Sequence, residues 1–477
     1  MGRSEPTRPP RSLDLGSPRR VHIVGVGGAG MSAIALVLAR MGHGVSGSDL
    51  KGSRGLERLR LLGVDAHVGH DSARVPVDAD AVVVSTAIPR SNSEVRAAEA
   101  AGIPVLRRAE ALAAIVATRR GIAVAGSHGK TTSASMLAVI LRAAGWHPSF
   151  IVGGELNEVG TNAALDDGEW LVVEADESDG TFLELAPEVA LVTNVEPDHL
   201  DHYGTFDALF ASFGRFLDGV PGPRIVCADD PVSAELAAAR PGVRTYGWAE
   251  GAAYRIDDYE GGRLGSRFRL RRDGAELGSI ELAVPGRWNV LNATGAAATA
   301  LELGAPFEAV ATAFRGFGGV ARRFQFRGEV DGVTLVDDYA HLPGEVAAVI
   351  RTAREGGWRR VVVVFQPHRY SRTARLWRDF ADAFTEADSV VLTDVYPAGE
   401  APQPGVSGRL VLRAVLDAHP ALPVAYFPRR SDLVDKLAHY ARPGDVVLTL
   451  GAGDLTTLPD EWLAGARVRG RAGGAES

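Results

Sequence analysis

The sequence has very few cysteines, and this limits the chemistry open to it. Cys227 is the single cysteine among 477 residues. One thiol excludes an internal disulfide, a CxxC redox pair and a cysteine-rich zinc site. It is typical of proteins in a reducing compartment, so we expect a cytoplasmic protein.

Long apolar runs and an excess of positive charge are also lacking. The densest apolar run, 361–365, is far shorter than the roughly 20 residues that span a bilayer. The N-terminal residues 1–20 contain no apolar segment of the kind found in secretory signals. The formal net charge is −8, whereas proteins that bind nucleic acid are usually basic. We therefore expect neither a membrane protein nor a nucleic-acid partner.

What the sequence does contain is a steady alternation of short β-branched runs with Ala/Leu-rich amphipathic stretches, the pattern of parallel α/β layers. It divides into three blocks with boundaries near residues 118 and 322. Arginine alternates with Phe and Leu at 267–271, which suggests an antiparallel strand in the second block. Residues 1–20, rich in Arg, Pro and Ser, are predicted to be a disordered tail.

A glycine-rich segment follows the first predicted strand. Residues 25–30 read Gly-Val-Gly-Gly-Ala-Gly and fit G-x-G-x-x-G, and the next strand ends at Ser48-Asp49. Bare backbone N–H groups at a helix start bind a diphosphate, and an acid can accept from ribose hydroxyls. NAD and a nucleotide sugar both meet this description, and a tight turn without a ligand is the structural alternative.

A second phosphate-binding segment opens the second block. Residues 126–132 read Gly-Ser-His-Gly-Lys-Thr-Thr between a strand and a helix. Lys130 would neutralise the β/γ-phosphates of ATP, and the Thr131 hydroxyl can coordinate Mg²⁺. The full pattern is not met, because Val124 stands where the first glycine belongs. Gly126 instead supplies a shortened loop.

Two polar clusters follow later strands of the same block, at 174–177 and 193–202. Because the carboxyl ends of parallel strands meet at one edge, Lys130, Glu174 and His199 are expected to converge. Hard oxygen ligands suit Mg²⁺, so Glu174 is a candidate ligand, while His199 could instead order its loop. His199 and His202 also suggest zinc, but no third soft ligand is obvious.

With both loops in one chain, the sequence resembles the Mur ligase family of peptidoglycan synthesis from about residue 21 to 454. Any one motif is weak, but the ordered set is specific. The motifs are GVGGAGMS (25–32), SGSD (46–49), GSHGKTT (126–132), EADESD (174–179), TNVEPDHLD (193–201), NVLNAT (289–294), DDYAHLPGE (337–345), FQPHRYSRT (365–373) and TDVYPAGE (393–400).

The resemblance implies an α/β protein of three domains. A Rossmann-like N-terminal domain (21–117) would hold the UDP end of the substrate, and a central domain with a P-loop ATPase-type, mostly parallel sheet (118–322) would hold ATP. A Rossmann-like C-terminal domain (323–477) would bring in the amino acid. The first glycine loop would then bind a UDP diphosphate rather than NAD. The residues implied to contact this substrate are Ala29, Gly30, Met31, Ser48, Asp49, Ser85, Thr86 and Ile88.

Residues 365–373 most resemble the alanine-adding member, which implies an ATP-dependent ligase that joins L-alanine to the carboxylate of UDP-N-acetylmuramate through an acyl phosphate. Lys130 would neutralise the transferring phosphoryl group. Thr131 and Glu174 would hold one Mg²⁺ and His199 a second. The implied ATP-binding residues are Gly126, Ser127, His128, Gly129, Lys130, Thr131, Thr132, Asn292 (adenine), Asp337 (ribose) and Arg323.

The third domain carries the remaining implied contacts. His368, Arg369 and Arg372 would bind substrate carboxylate or phosphate, and Tyr339 and His341 would face the amino acid. The base that deprotonates the amine stays open between His341, His199 and a phosphate oxygen. The alternatives without a binding role are helix-start capping for Asn292, a solvated basic turn for 368–372 and a surface position for Arg323.

Several readings remain open from the sequence. Leu342, Gly344 and Pro397 depart from the family pattern, so glycine or L-serine could replace L-alanine. A recycling ligase that attaches a tripeptide is a close rival, although the run 27–31 argues against it. An NAD-dependent oxidoreductase would leave the second loop without a role, and a regulatory protein would require degraded catalytic positions. We expect a monomer or weak homodimer.

Overall fold

The computed structural model describes residues 13–85 and 87–473. It divides into two compact units. Of the described residues, the first contains 13–258 (without 86), 268–281 and 291–317, and the second contains 259–267, 282–290 and 318–473. In the described part of the chain, no helix is both long and apolar enough to cross a membrane.

The first sheet is fully parallel, with strand order β3-β2-β1-β4-β5. Its strands β1 and β4 are rich in Val and Ile, which is typical of parallel strands that are buried on both faces. The elements are β1 Arg20–Val24, α1 Ala29–Arg40, β2 Gly44–Asp49, α2 Arg54–Leu61, β3 Asp65–Val68, β4 Ala81–Val84, α3 Ser93–Ala100, β5 Val105–Arg107 and α4 Arg108–Val116.

The predicted disordered tail needs correction over residues 13–20. Leu15 is buried in the core cluster and Leu13 packs against it, while Arg20 already opens β1. Both leucines lie in a stretch rich in Arg, Pro and Ser, a composition that favours disorder when it is considered without tertiary contacts. Residues 1–12 lie outside the described residues, as does Thr86.

The second sheet has ten strands in the order β15-β14-β13-β12-β11-β10-β6-β9-β7-β8. From β13 to β7 the pairs are parallel, and β7–β8 is antiparallel. The strands are β6 Arg120–Ala125, β7 Ser149–Leu156, β8 Thr161–Ala164, β9 Trp170–Glu174, β10 Val189–Val192, β11 Arg224–Cys227, β12 Arg244–Gly247, β13 Tyr254–Gly261, β14 Ser266–Arg272 and β15 Ala275–Leu282. The antiparallel pairing expected at 267–271 stays a prediction.

The helices of this region are α5 Lys130–Ala143, α6 Leu200–Tyr203, α7 Phe206–Asp218, α8 Pro231–Ala238, α9 Arg287–Glu302 and α10 Phe307–Arg315. Strand β6 lies between β9 and β10. The carboxyl end of β6 leads into the Gly-Lys-Thr loop, so the segments that follow β9 and β10 border that loop from both sides. This order positions the site described below.

The third sheet has the order β16-β17-β21-β18-β19-β20, parallel except for the β16–β17 pair. Its elements are β16 Gln325–Val330, β17 Val333–Asp338, α11 Pro343–Glu355, β18 Arg360–Phe365, α12 Tyr370–Leu376, β19 Ser389–Leu392, α13 Arg409–Ala418, β20 Val424–Tyr426, α14 Leu433–Tyr440, β21 Asp445–Leu450 and α15 Leu458–Gly473. The α/β class with three mostly parallel sheets is confirmed.

Candidate active site

The Gly-Lys-Thr loop is held in shape by the segment that follows β10. The His128 amide donates to Asn194 Oδ1 at 2.8 Å, and the Thr193 hydroxyl donates to the His128 carbonyl at 2.6 Å. Gly126 has φ +131°, and a Cβ there would overlap Thr193 Oγ1. Gly129 has φ +83°, and a Cβ there would overlap Asn292 Oδ1. Both glycines are therefore required by backbone conformation and by space.

Lys130 begins α5 and forms an ion pair with a buried carboxylate. Its Nζ lies 2.8 and 3.0 Å from the two oxygens of Glu177. Burial disfavours the ammonium, but attraction by Glu177, Asp176 and Glu174 outweighs it, and the pKa of Lys130 is raised. Lys130 is thus held as a charged ammonium at the loop, and its role toward the phosphates of ATP stays a prediction.

Glu174 ends β9 on the same side as the loop. The Gly153 amide donates to Glu174 Oε1 at 2.5 Å. A methyl group placed on Gly153 would lie 3.0 Å from Glu174 Oε2 and 3.1 Å from the Thr131 hydroxyl. The carboxylate and the hydroxyl therefore face the same small space, and both are hard oxygen donors that suit Mg²⁺. The donor set fits the predicted metal.

His199 reaches the same buried acid as Lys130. Its Nε2 lies 3.7 Å from Glu177 Oε1 and 3.4 Å from Asp198 Oδ2. The residue has φ +54°, an unusual backbone conformation for a non-glycine residue. The predicted convergence of Lys130, Glu174 and His199 on one edge is therefore observed. Among the described residues, the side chains close enough together to hold a metal ion as a group of three are those of His147, Asp166 and Asp167. His199 is not in this group, so the structure gives no support to a zinc site there.

Three further loop residues and Asn292 complete this group. The Glu196 amide donates to Ser127 Oγ at 2.8 Å, and His128 Nε2 lies 3.3 Å from Glu196 Oε2. Thr132 is buried. Asn292 is the sixth residue of α9 and accepts from the Ser133 hydroxyl at 3.3 Å, so it is not a helix-start cap. Its predicted contact with adenine stays a prediction.

The first glycine loop is braced by the end of β2. The Gly27 amide donates to Asp49 Oδ2 at 2.9 Å, and the Gly25 amide donates to the Ser48 carbonyl at 2.8 Å. A Cβ at Gly25 would lie 3.4 Å from both Ser85 Oγ and the Ile88 side chain. Ser85, Ile88 and Asp49 therefore border this loop, and the substrate contacts that the resemblance implies for them stay predictions.

Two of the implied substrate contacts have their side chains turned inward. Ser48 is fully buried; its hydroxyl donates to Glu94 at 2.5 Å and lies 2.8 Å from His70 Nδ1. The Met31 side chain is also buried in the core. Neither side chain is free to contact a nucleotide, so only their backbones could serve. Ala29 and Gly30 remain at the start of α1, and the Ala29 carbonyl accepts from Asn162 at 3.1 Å.

The second unit contains its own cluster of predicted residues. Tyr339 and His341 follow β17, and His368 follows β18. The Tyr339 and His341 rings are 5.3 Å apart, and those of His341 and His368 are 5.7 Å apart. Arg323 lies over the Tyr339 ring at 5.4 Å, and Arg372 Nη1 is 3.1 Å from His368 Nδ1. These five predicted residues form one aromatic and cationic cluster.

Burial lowers the pKa of both histidines in this cluster. For His368, burial and the nearby His341, Arg372 and Arg369 lower the pKa to about 4. For His341, burial outweighs attraction by Glu345. Both imidazoles are therefore neutral near pH 7, which is the form a general base requires.

The side chains of Asp337 and Arg369 are not part of this cluster. The Asp337 carboxylate is buried and accepts from Thr449 at 2.8 Å and Thr456 at 2.6 Å, so both oxygens already have internal donors. The side chain of Arg369 is exposed at the start of α12. The ribose contact of Asp337 and the substrate contact of Arg369 stay predictions.

Several residues of these groups were not predicted from the sequence. Glu177 lies within the motif 174–179 and had no predicted role, although it binds Lys130. Tyr396 stacks on His368 with ring centres 5.8 Å apart. Arg108 forms an ion pair of 2.9 Å with Asp176. A strand-end position could have indicated Glu177, whereas the other two depend on contacts between distant segments.

Family models match the chain along most of its length. They are described as "Mur ligase family, catalytic domain" for residues 20–120, "Mur ligase middle domain" for 124–300 and "Mur ligase, glutamate ligase domain" for 322–453.

Individual proteins are also similar over nearly the whole chain. A UDP-N-acetylmuramate–L-alanine ligase of Desulforamulus reducens is 46% identical, covering 94% of this chain and 98% of that protein. One of Rubrobacter xylanophilus is 48% identical, covering 93% and 99%. Among solved structures, the UDP-N-acetylmuramate-alanine ligase of Thermotoga maritima has a TM-score of 0.82 at 27% identity, covering 94% of this chain and 100% of that one.

Proposed function

The chain belongs to the Mur ligase family, and from this premise we propose that it joins L-alanine to the carboxylate of UDP-N-acetylmuramate in an ATP-dependent step of peptidoglycan synthesis. The single observation that carries the proposal is the presence of two glycine-rich loops, each between a strand and a helix, in one compact unit. One is the glycine loop at 25–30, and the other is the Gly-Lys-Thr loop at 126–132.

The reaction needs an activated acid. A carboxylate oxygen is a poor leaving group, so the γ-phosphoryl group of ATP is first transferred to it and gives an acyl phosphate. Phosphoryl transfer depends mainly on positioning and charge neutralisation. Lys130 supplies the fixed positive charge, and Glu177 holds its ammonium in place. The amides of Ser127 and His128 already donate to Asn194, so the Gly129 amide and the start of α5 are assigned to orient the phosphates.

Magnesium neutralises the phosphate charge when it is bound. We assign Thr131 and Glu174 to one ion, because their oxygens face the same space next to Gly153. His199 is assigned to a second ion, as the family resemblance implies. Imidazole is a less usual ligand for Mg²⁺ than oxygen, so this second assignment rests on the resemblance more than on the donor chemistry.

The amino acid is assigned to the aromatic and cationic cluster of the second unit. Arg372 would attract its carboxylate through a charge-assisted hydrogen bond. His341 is the candidate base on this side, since its imidazole is buried and its pKa is lowered. The amine attacks the acyl phosphate, and a tetrahedral intermediate expels phosphate. A cytoplasmic monomer or weak homodimer is the proposed form of the enzyme.

The test is phosphate release with ATP, Mg²⁺, UDP-N-acetylmuramate and a panel of acceptors. We expect release to require both the sugar nucleotide and an amino acid, with L-alanine preferred over glycine and L-serine. A preference for the intact tripeptide would replace the proposal with the recycling ligase. Release without any acceptor would contradict both.

A further inference from the structure

Arg108 lies between the two anion-binding loops of the first unit, and the reaction proposed above gives it no role. It is the first residue of α4, in the N-terminal parallel sheet region. Its Nη2 donates to Asp176 Oδ2 at 2.9 Å, in the acidic segment after β9. Its Nη1 faces the glycine loop, because a methyl group placed on Gly30 would lie 3.2 Å from that atom.

The charge on Arg108 is placed where it does not favour the helix. The N-terminus of a helix carries partial positive charge, so a cation in the first turn is disfavoured. At α4 the first turn is instead capped by Glu110, whose carboxylate accepts from the Arg107 amide at 2.7 Å. A guanidinium at this position suits an anion that approaches the starts of α1 and α4, because guanidinium forms paired hydrogen bonds with phosphate oxygens.

Asp176 fixes the orientation of Arg108 and leaves part of its donor set facing the loop. Asp176 Oδ1 accepts from the Ser178 amide at 3.1 Å, so the carboxylate is itself held by the backbone. The side chain of Arg108 keeps 34% of its surface exposed. Guanidinium has five N–H donors, and the Asp176 bond uses only the Nη2 end.

We propose that Arg108 binds the diphosphate of the sugar nucleotide at the glycine loop, with Asp176 as its positioning residue. This inference rests on the proposed function. It adds a side-chain cation to a loop whose amides at 25–28 already donate within the protein, which leaves the N–H groups at the start of α1 for the ligand. It also connects the sugar-nucleotide loop to the segment that holds Lys130, because Asp176 precedes the Glu177 partner of that lysine.

The neighbouring residue Arg107 provides a matched control. Arg107 pairs with Glu184 at 2.7 Å, so it makes the same kind of contact with the central region. Among the described residues, no atom of Arg107 is one of the three nearest that a methyl group would meet at any glycine of the loop 25–30. If Arg108 acted only as a bridge between segments, replacing Arg107 would have a similar effect.

The experiment measures dissociation constants for UDP-N-acetylmuramate and UDP by calorimetry without ATP, for the wild type and the variants Arg108→Met, Arg108→Lys, Asp176→Asn and Arg107→Met. Loss of a charged hydrogen bond predicts weakening of roughly 10- to 100-fold for Arg108→Met, with partial recovery in Arg108→Lys. We expect a smaller loss in Asp176→Asn and little change in Arg107→Met.

A second readout separates phosphate binding from a general structural effect. Uridine lacks phosphate, so its binding, measured by ligand-observed NMR, should be the same in Arg108→Met and wild type. In steady state the KM for UDP-N-acetylmuramate should rise while the KM for ATP is unchanged. Equal loss of uridine and UDP binding, or wild-type UDP affinity in Arg108→Met, would overturn the inference. If the wild type binds UDP through Arg108 but forms no amide product, the proposed function fails instead.

Discussion

The ion pair between Lys130 and Glu177 affects both the stability and the proposed chemistry of the protein. Glu177 is 1% exposed and bonds both of its oxygens to the lysine ammonium. A buried ion pair contributes little net stability, but breaking it leaves an uncompensated charge. The pair therefore holds the Lys130 ammonium at the loop with little effect on net stability. Stability is lost only when one partner is removed and the other charge stays buried.

Replacing Lys130 with Met is expected to affect activity and stability separately. Turnover should fall by at least about 10²- to 10³-fold through loss of charge stabilisation, and the free energy of unfolding should drop by about 3–5 kcal/mol. Lys130→Met/Glu177→Gln should recover most of the stability and none of the turnover. Phosphate release and urea denaturation measure the two effects. Affinity for UDP-N-acetylmuramate should stay unchanged in both variants, and its collapse would contradict the separation of the two loops.

His368 gives a residue-scale prediction for pH. Its pKa is lowered to about 4 in the folded chain, against an ordinary value of about 6.5. Between these values the unfolded state binds more protons, so stability falls as pH falls from about 6.5 to about 4. The variant His368→Gln removes this titration. On going from pH 7 to pH 5 it should therefore lose about 2 kcal/mol less stability than the wild type. Urea titrations at both pH values test it, with exposed His439→Gln as control. Equal losses of stability on acidification in the wild type and His368→Gln would contradict the prediction.

At the scale of elements, the sequence predicts what is local. Lys130, Thr131 and the glycines of the loop are neighbours in the chain, and their strand-loop-helix setting follows from hydrophobic periodicity. Strand β16 was not predicted, because Gln325–Val330 is a half-exposed edge strand with a register shift between Phe326 and Gly328. Such a strand lacks the continuous apolar run that marks β17 and β18.

The Gly-Lys-Thr loop supports a paired glycine test. Gly126→Ala would place a Cβ against Thr193 and Asn194, whereas Gly145→Ala, with φ +75° at the end of α5, would meet nothing within 4 Å. Gly145→Ala should therefore cost only its backbone strain, about 1–2 kcal/mol. Gly126→Ala should cost more and abolish ATP binding. Thermal denaturation and nucleotide titration measure these effects, and equal costs for the two variants would show that the loop can relax.

At the scale of the whole molecule, the sequence predicts three sheets but not how they group. The first sheet and most of the second share one compact unit, and ion pairs such as Arg58–Glu155 and Arg107–Glu184 join them. These pairs connect residues far apart in the chain, so periodicity and motif spacing carry no information about them. The same reason explains why Arg108 and Asp176 were missed.

This grouping predicts how ligands affect unfolding. Both loops that are proposed to bind anions lie in the first unit, so UDP-N-acetylmuramate and a non-hydrolysable ATP analogue, added separately, should each raise the unfolding transition of that unit. At a concentration of 100 times Kd each should add about 2.7 kcal/mol. The two compact units allow more than one transition in calorimetry, and L-alanine alone should not move the transition that the sugar nucleotide moves. Scanning calorimetry with each ligand tests this, and a sugar nucleotide and an ATP analogue that shift two different transitions would contradict a shared unit.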